Sequence, residues 1–209
     1  MSAQHSDFLQ PSVFDKEYYS SDAYNDYLQA FRTQARMVVI DPLLQAIQPT
    51  EPLTFLDVGC GMGGNILELH DAGYEACGIE ISPYCLEYSP AKEWMKPGGV
   101  LNIPYDDNAF DVLICRDVFP YLSAEEVPMG VRELVRVAKR YVAFSTIDHD
   151  SPNVSQEFNP DPYRNASVTA FTPDDYIALF AACGADLFRR DFFVQPRDSS
   201  YLFTVSSKK

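Results

Sequence analysis

A chain of 209 residues is about one domain long and can bury a full core without disulfide or metal staples. Apolar residues at 46% and charged residues at 22% exclude a disordered or fibrous chain. Thirty acidic residues against 16 basic ones leave a net charge of -14, which argues against nucleic acid or an anionic membrane as partner.

The start, Met1 to Gln10, lacks the charged and apolar regions of an export signal. Apolar runs such as Met37–Ile40 fall far short of the ~20 residues of a membrane helix. Cys60, Cys77, Cys85, Cys115 and Cys183 show no C-x-x-C pair, and no Cys/His cluster has zinc-ligand spacing. Most lie in apolar runs, as core thiols do, which predicts a reduced, cytoplasmic protein without a metal.

Residues 1–22 are polar and aromatic, with Phe14, Tyr18 and Tyr19, and predict a loosely structured arm. Residues 24–47 predict a helix, because Tyr27, Leu28, Phe31, Ala35, Val38 and Val39 recur at three- and four-residue spacing. Pro42 permits a break or a fresh start within it. Leu53–Val58 predicts a strand running into four glycines, and Asn65–Asp71 a helix stopped by Gly73. Glu75–Ile81 is a second strand, followed by a short helix over 83–88 with Ser82 as N-cap. Gly99–Ile103 is expected as a third strand and Phe110–Cys115 as a fourth. Ser123–Ala138 is a helix opened by a capping box, and Tyr141–Ile147 a fifth strand.

The polar stretch 148–170, with three prolines, is long for a connection in a compact domain and is expected to be a functional lid. A helix from Thr172 to Cys183 and strands over 187–194 and 201–205 complete the pattern. Strands alternating with helices predict a doubly wound, mostly parallel sheet, with the ligand beyond the carboxyl ends of its strands.

Gly59-Cys-Gly-Met-Gly-Gly64 fits G-x-G-x-x-G between a strand and a helix, and Glu80 follows Gly61 by 19 residues. Alone, that is the dinucleotide fingerprint with an acid on the ribose. Asp57, two residues before Gly59, argues against it, because a carboxylate there repels a pyrophosphate. A sulfonium and an ammonium reverse the sign. S-adenosylmethionine carries both, and Glu80 would accept from both ribose hydroxyls.

Leu56–Gly64 resembles the first motif of class I S-adenosylmethionine-dependent methyltransferases, and Gly78–Pro83 their second. Ile103–Val112, Cys115–Leu122, Glu133–Ala138 and Phe171–Gly184 resemble later stretches of that family, in order. The resemblance implies a Rossmann-like seven-stranded sheet whose last strand is antiparallel. It implies an arm and helix over 1–48 that cap the site, and a methyltransferase domain over 49–209 with an insertion at 148–171.

It also implies a cofactor site. Asp57, Gly59, Cys60, Gly61, Glu80 and Ile81 come from the first two motifs. Asn102 and Ile103 pack beside the adenine, and Arg116 ends the fourth strand. From the arm, Tyr19 or Tyr24 reaches the cofactor's carboxylate. Two departures stand out. Gly99 falls where the family often has an adenine-binding Asp, and Phe119-Pro120 where many members have Glu-His.

Methyl transfer rests largely on positioning, and a base helps only where the acceptor loses a proton. His5 lies in the arm and His70 near a helix end away from the ligand face, so His149 is the candidate base. Asp117, Phe119 and Tyr121 are expected to line the acceptor site. The expected activity is methylation of a small molecule, at oxygen or nitrogen. A nicotinamide-dependent oxidoreductase, a silent S-adenosylmethionine-binding subunit and a protein methyltransferase are the alternatives.

Overall fold

The computed structural model describes residues 11–20, 27–147, 171–193 and 199–206. Tyr24, His149 and the 148–170 stretch lie outside the described residues.

Seven strands form one sheet: β1 (Thr54–Val58), β2 (Glu75–Glu80), β3 (Met95–Pro97), β4 (Phe110–Arg116), β5 (Ala138–Thr146), β6 (Ala185–Arg190) and β7 (Ser199–Val205). Their order is β3-β2-β1-β4-β5-β7-β6. β1 to β5 pair in parallel, and β7 runs antiparallel to both β5 and β6. This is the expected Rossmann-like sheet with its antiparallel last strand. From β1 the chain winds outward to β2 on one side and later returns to β4 on the other. That switch point opens a crevice at the carboxyl ends of the central strands.

The helices are α1 (Lys16–Tyr19), α2 (Tyr27–Gln34), α3 (Asp41–Ile47), α4 (Gly64–Asp71), α5 (Pro83–Tyr88), α6 (Val127–Val137) and α7 (Pro173–Ala182). Central strands buried on both faces need continuous apolar runs, and Val112 to Cys115 are all fully buried. Alternate residues of β4 point into different cores. Leu113 and Cys115 join Val131, Leu134, Phe144, Tyr176 and Phe180 under α6 and α7. Val112 and Ile114 join Val39, Leu43, Ile66 and Leu69 on the other face.

Pro42 does not break the long helix. α2 passes into α3 through a wider π-type segment, Ala35–Ile40, where the Asp41 N–H reaches back to the Arg36 carbonyl. A proline removes one helical N–H and crowds the carbonyl four residues earlier, and a widened turn absorbs both. The Ser123–Glu126 box also forms. The Ser123 N–H donates to Glu126 Oε2 at 2.7 Å and the Glu126 N–H to Ser123 Oγ at 3.3 Å, but on a turn ahead of the regular helix.

The third strand is a correction. β3 occupies Met95–Pro97, and 99–103 forms a turn in which the Asn102 N–H donates to the Gly99 carbonyl at 3.2 Å. α6 holds that turn from outside. Glu133 Oε2 accepts from the Ile103 N–H at 2.9 Å, and Arg136 Nη2 donates to the Ile103 carbonyl at 3.0 Å. With both backbone groups of Ile103 committed to α6 and the Asn102 N–H to Gly99, this stretch forms a turn and not a sheet strand. The last two strands also shift, to Ala185–Arg190 and Ser199–Val205.

Candidate active site

The loop after β1 carries three glycines with left-handed backbone, Gly59, Gly61 and Gly63. At Gly59, with φ 74°, a Cβ would meet Val118 Cγ2 at 2.4 Å, so any side chain there collides with the β4 loop. Gly64 is needed for another reason: a Cβ there would lie 2.8 Å from the Phe31 carbonyl of α2. The loop is pinned to β2, since the Gly59 and Cys60 N–H groups donate to the Ile79 carbonyl at 2.9 and 3.1 Å. Cys60 is buried and packs against Gly78, where a Cβ would meet its Sγ at 2.5 Å.

Beside this loop opens a cleft of about 430 Å³, lined among others by Gly59, Glu80, Ile81, Gly99, Asn102 and Val118. That volume is in the range of small-molecule sites. The expected contacts Gly59, Glu80, Ile81 and Asn102 meet there. The 97–101 turn, expected in part as the third strand, lines it too, and so does Val118, which the sequence did not single out.

Two buried carboxyls stand at the strand ends. Asp57 on β1 is 3% exposed and accepts from Asn65 Nδ2 at 3.1 Å. Burial pushes its carboxyl up to about 7, the Asn65 bond and Arg116 lower it, and the charge of Glu80 raises it. Glu80, at the end of β2, accepts three backbone N–H groups. Gly61 reaches Oε2 at 2.8 Å, and Ile81 and Ser82 reach Oε1 at 2.8 and 2.9 Å. Burial raises its pKa while those three bonds lower it. A carboxylate offers about four lone-pair sites. Glu80 thus braces the glycine loop through Oε2 and the turn after β2 through Oε1.

Other expected residues take different places. Ile103 is 2% exposed and Phe119 1% exposed, and both belong to the main core. Phe119 packs against Phe144 and over Gly130 of α6, where a Cβ would come within 2.9 Å of its ring. Its ring packs within the core. Arg116 turns to Asp117, with Nε 3.2 Å from Oδ2. Asp117 has φ 57° and also accepts from Ser145 Oγ at 3.3 Å. Strained backbone of this kind often gathers at functional sites.

Tyr19 and Tyr121 belong to an aromatic cluster with Phe14, Tyr18, Met62 and Cys85. Tyr18 and Tyr121 share a hydroxyl–hydroxyl bond of 2.7 Å, and the Ser82 hydroxyl donates to the Phe14 carbonyl. Residues 14–19 of the arm therefore rest on the loops after β1, β2 and β4.

This donor and acceptor set suits a zwitterionic, cationic nucleoside better than a dinucleotide. The buried Asn65 Oδ1 has no hydrogen-bond partner among the described residues, and it belongs to the amide that bonds Asp57. An acceptor without a donor beside a buried carboxyl favours a cation.

A family model described as a methyltransferase domain matches residues 56–144. Ajmaline N-methyltransferase of Rauvolfia serpentina is 30% identical over 151 residues, 63% of this chain and 51% of that protein. The chain thus spans about half the length of the curated relatives it matches. A crystal structure from Pyrococcus horikoshii OT3 shares the fold with a TM-score of 0.70 at 20% identity, covering 91% of this chain and 99% of that one. Magnesium protoporphyrin IX methyltransferase of Synechocystis PCC 6803, with bound S-adenosylhomocysteine, gives 0.72 at 16% identity, covering 96% and 97%. Residues 56–144 thus match a methyltransferase domain, and the sheet around them, with its antiparallel last strand, has the Rossmann-like methyltransferase fold.

Proposed function

We propose that this protein transfers the methyl group of S-adenosylmethionine to a small-molecule acceptor at nitrogen or oxygen, with an amine nitrogen the first to test. The carrying observation is the pair of buried carboxyls, Asp57 and Glu80, beside the cleft at the glycine loop. Similarity to an alkaloid N-methyltransferase supports an amine acceptor. The aromatic arm against the strand-end loops supports a closed site for a metabolite.

Bound S-adenosylmethionine supplies an electrophilic methyl on a sulfonium, a leaving group that needs no metal or acid. The protein's part is then placement and exclusion of water. Glu80 braces the glycine loop and offers its remaining lone pair to a ribose hydroxyl. Ile81 and Val118 give the cleft apolar surface, and Asn102 adds a polar side chain at its edge. Asp57 balances positive charge at the amino-acid end. Asp117, held by its ion pair with Arg116, is the carboxylate we assign to orienting the acceptor. We also keep His149 as the candidate for taking an acceptor proton.

Thermal shift and calorimetry with S-adenosylmethionine, S-adenosylhomocysteine and NAD test the reading. The first two are expected to raise the melting temperature and NAD to leave it unchanged. Glu80→Gln should cost about 1–3 kcal/mol of S-adenosylhomocysteine affinity, the range for hydrogen bonds to charged groups. Stabilisation by NAD alone would return the chain to the oxidoreductases. Once an acceptor is found by screening amines and hydroxyl compounds for S-adenosylhomocysteine release, His149→Ala should lower turnover and leave cofactor affinity intact.

A further inference from the structure

Asn65 stands at the start of α4, directly after the glycine loop, and no motif calls for an amide there. Its two polar atoms have different fates. Nδ2 donates to Asp57 Oδ2 at 3.1 Å. Oδ1 is shut off from solvent and has no partner among the described residues. Buried polar atoms are nearly always satisfied, so an unsatisfied one calls for an explanation.

The neighbourhood narrows what could satisfy it. Asp57 is 3% exposed and makes no ion pair among the described residues. The nearby cation, Arg116, is turned to Asp117 in an ion pair with 3.2 Å between Nε and Oδ2; its buried Nε makes no hydrogen bond among the described residues, and it acts on Asp57 through charge alone. A buried carboxyl and a buried amide oxygen are thus joined on one hydrogen-bonded unit. An anion would be repelled by the first, and a hydroxyl would bring its own lone pairs to both. An ammonium has three donors and no acceptor, and it brings the charge that Asp57 lacks.

We propose that Asn65 is a further ligand-positioning residue, whose Oδ1 joins the Asp57 carboxylate in receiving a primary ammonium group. The inference rests on the reading of the chain as an S-adenosylmethionine-dependent enzyme, in which that ammonium is the amino group of the methionine moiety. Asn65 then does two things at once. Its Nδ2 aims the carboxylate, and its Oδ1 selects for an amino-acid end over a nucleoside that lacks one.

Two ligands separate this role from general support of the loop. S-adenosylhomocysteine carries the ammonium; 5′-methylthioadenosine keeps the nucleoside and thioether and lacks it. Calorimetry on the full chain gives the ratio of their affinities. Asn65→Ala removes the acceptor and suits a helix. It should weaken S-adenosylhomocysteine about tenfold or more, the size of one charge-assisted hydrogen bond, with 5′-methylthioadenosine unchanged within about twofold. Asn65→Asp keeps an oxygen in place, and at pH 8 its ratio should equal or exceed that of the unaltered protein. This second variant carries the test if Asn65→Ala fails to fold.

Equal weakening of both ligands by Asn65→Ala, no weakening of either, or a reduced ratio in Asn65→Asp would overturn the role of Asn65. If the unaltered protein binds neither ligand, the methyltransferase reading falls with it. Binding of S-adenosylhomocysteine with an unmoved ratio in Asn65→Ala removes only this proposal.

Discussion

At the scale of the residue, Asp57 makes stability depend on pH. Burial holds its carboxyl at about 7 in the folded chain, against 3.8 for an ordinary aspartate. Between those values the folded form keeps a proton that the unfolded form has lost. The stability of the ligand-free protein should therefore fall as pH rises from about 4 to about 7, then level off. The extent is a few kcal/mol, about 4 at most. Glu80, raised by burial as well, adds to the slope in the same direction. Denaturation by urea across pH 5–8 should show a slope that Asp57→Asn flattens. A cationic ligand that favours the ionised carboxylate should also release a proton on binding near pH 6.5. That appears as a binding heat that varies with the ionisation heat of the buffer, and the variation should vanish in Asp57→Asn. A flat stability profile in the unaltered protein would mean that Asp57 is better solvated than its burial implies.

At the scale of the element, the cleft is walled from the sheet's neighbour as much as from the sheet. α6 packs its apolar face through Val131, Leu134 and Val135 into the core, all 0–1% exposed. At its end it presents Glu133 and Arg136 to the 99–105 turn. Arg136 donates to Glu133 through Nε at 2.7 Å and to the Tyr105 carbonyl through Nη1 at 2.8 Å, in addition to its bond with Ile103. Only the planar fork of a guanidinium reaches a carboxylate and two carbonyls together. Arg136→Lys should keep the charge and lose that spread. We expect S-adenosylhomocysteine affinity to drop about three- to tenfold, roughly 1 kcal/mol, the net worth of a typical intramolecular hydrogen bond. The melting temperature should move little, because the apolar face of α6 is untouched. If stability collapses while affinity per folded molecule holds, the clamp serves the core and not the cleft.

At the scale of the whole molecule, what could be read from the chain follows the range of the forces involved. β1 and β2 were legible because each is an apolar run closed by glycine or an acid, which puts Asp57 and Glu80 at the strand ends. The capping box at Ser123 was legible because its partners lie three residues apart. Gly99–Ile103 was not, since Val100, Leu101 and Ile103 look like a strand until Glu133 and Arg136, some thirty residues on, take the backbone groups of Ile103. The core packing of Phe119 was not legible for a similar reason: it depends on Gly130, across a loop, where a Cβ would come within 2.9 Å of its ring. Asn65 gave no signal at all, because an amide matters there only once Asp57 lies beside it. The arm is the longest-range case. Tyr18 and Tyr121 are 103 residues apart and bond through their hydroxyls at 2.7 Å, with Phe14 edge-on to both rings. A double-mutant cycle with Tyr18→Phe and Tyr121→Phe tests whether the arm folds as part of the domain. If it does, the two changes should couple by about 0.5–1.5 kcal/mol in global stability, the net worth of one hydrogen bond. Because the arm rests on the loops after β1, β2 and β4, that coupling should grow when S-adenosylhomocysteine orders those loops. Additive effects, with and without ligand, would mean that the arm docks independently of the loops it rests on.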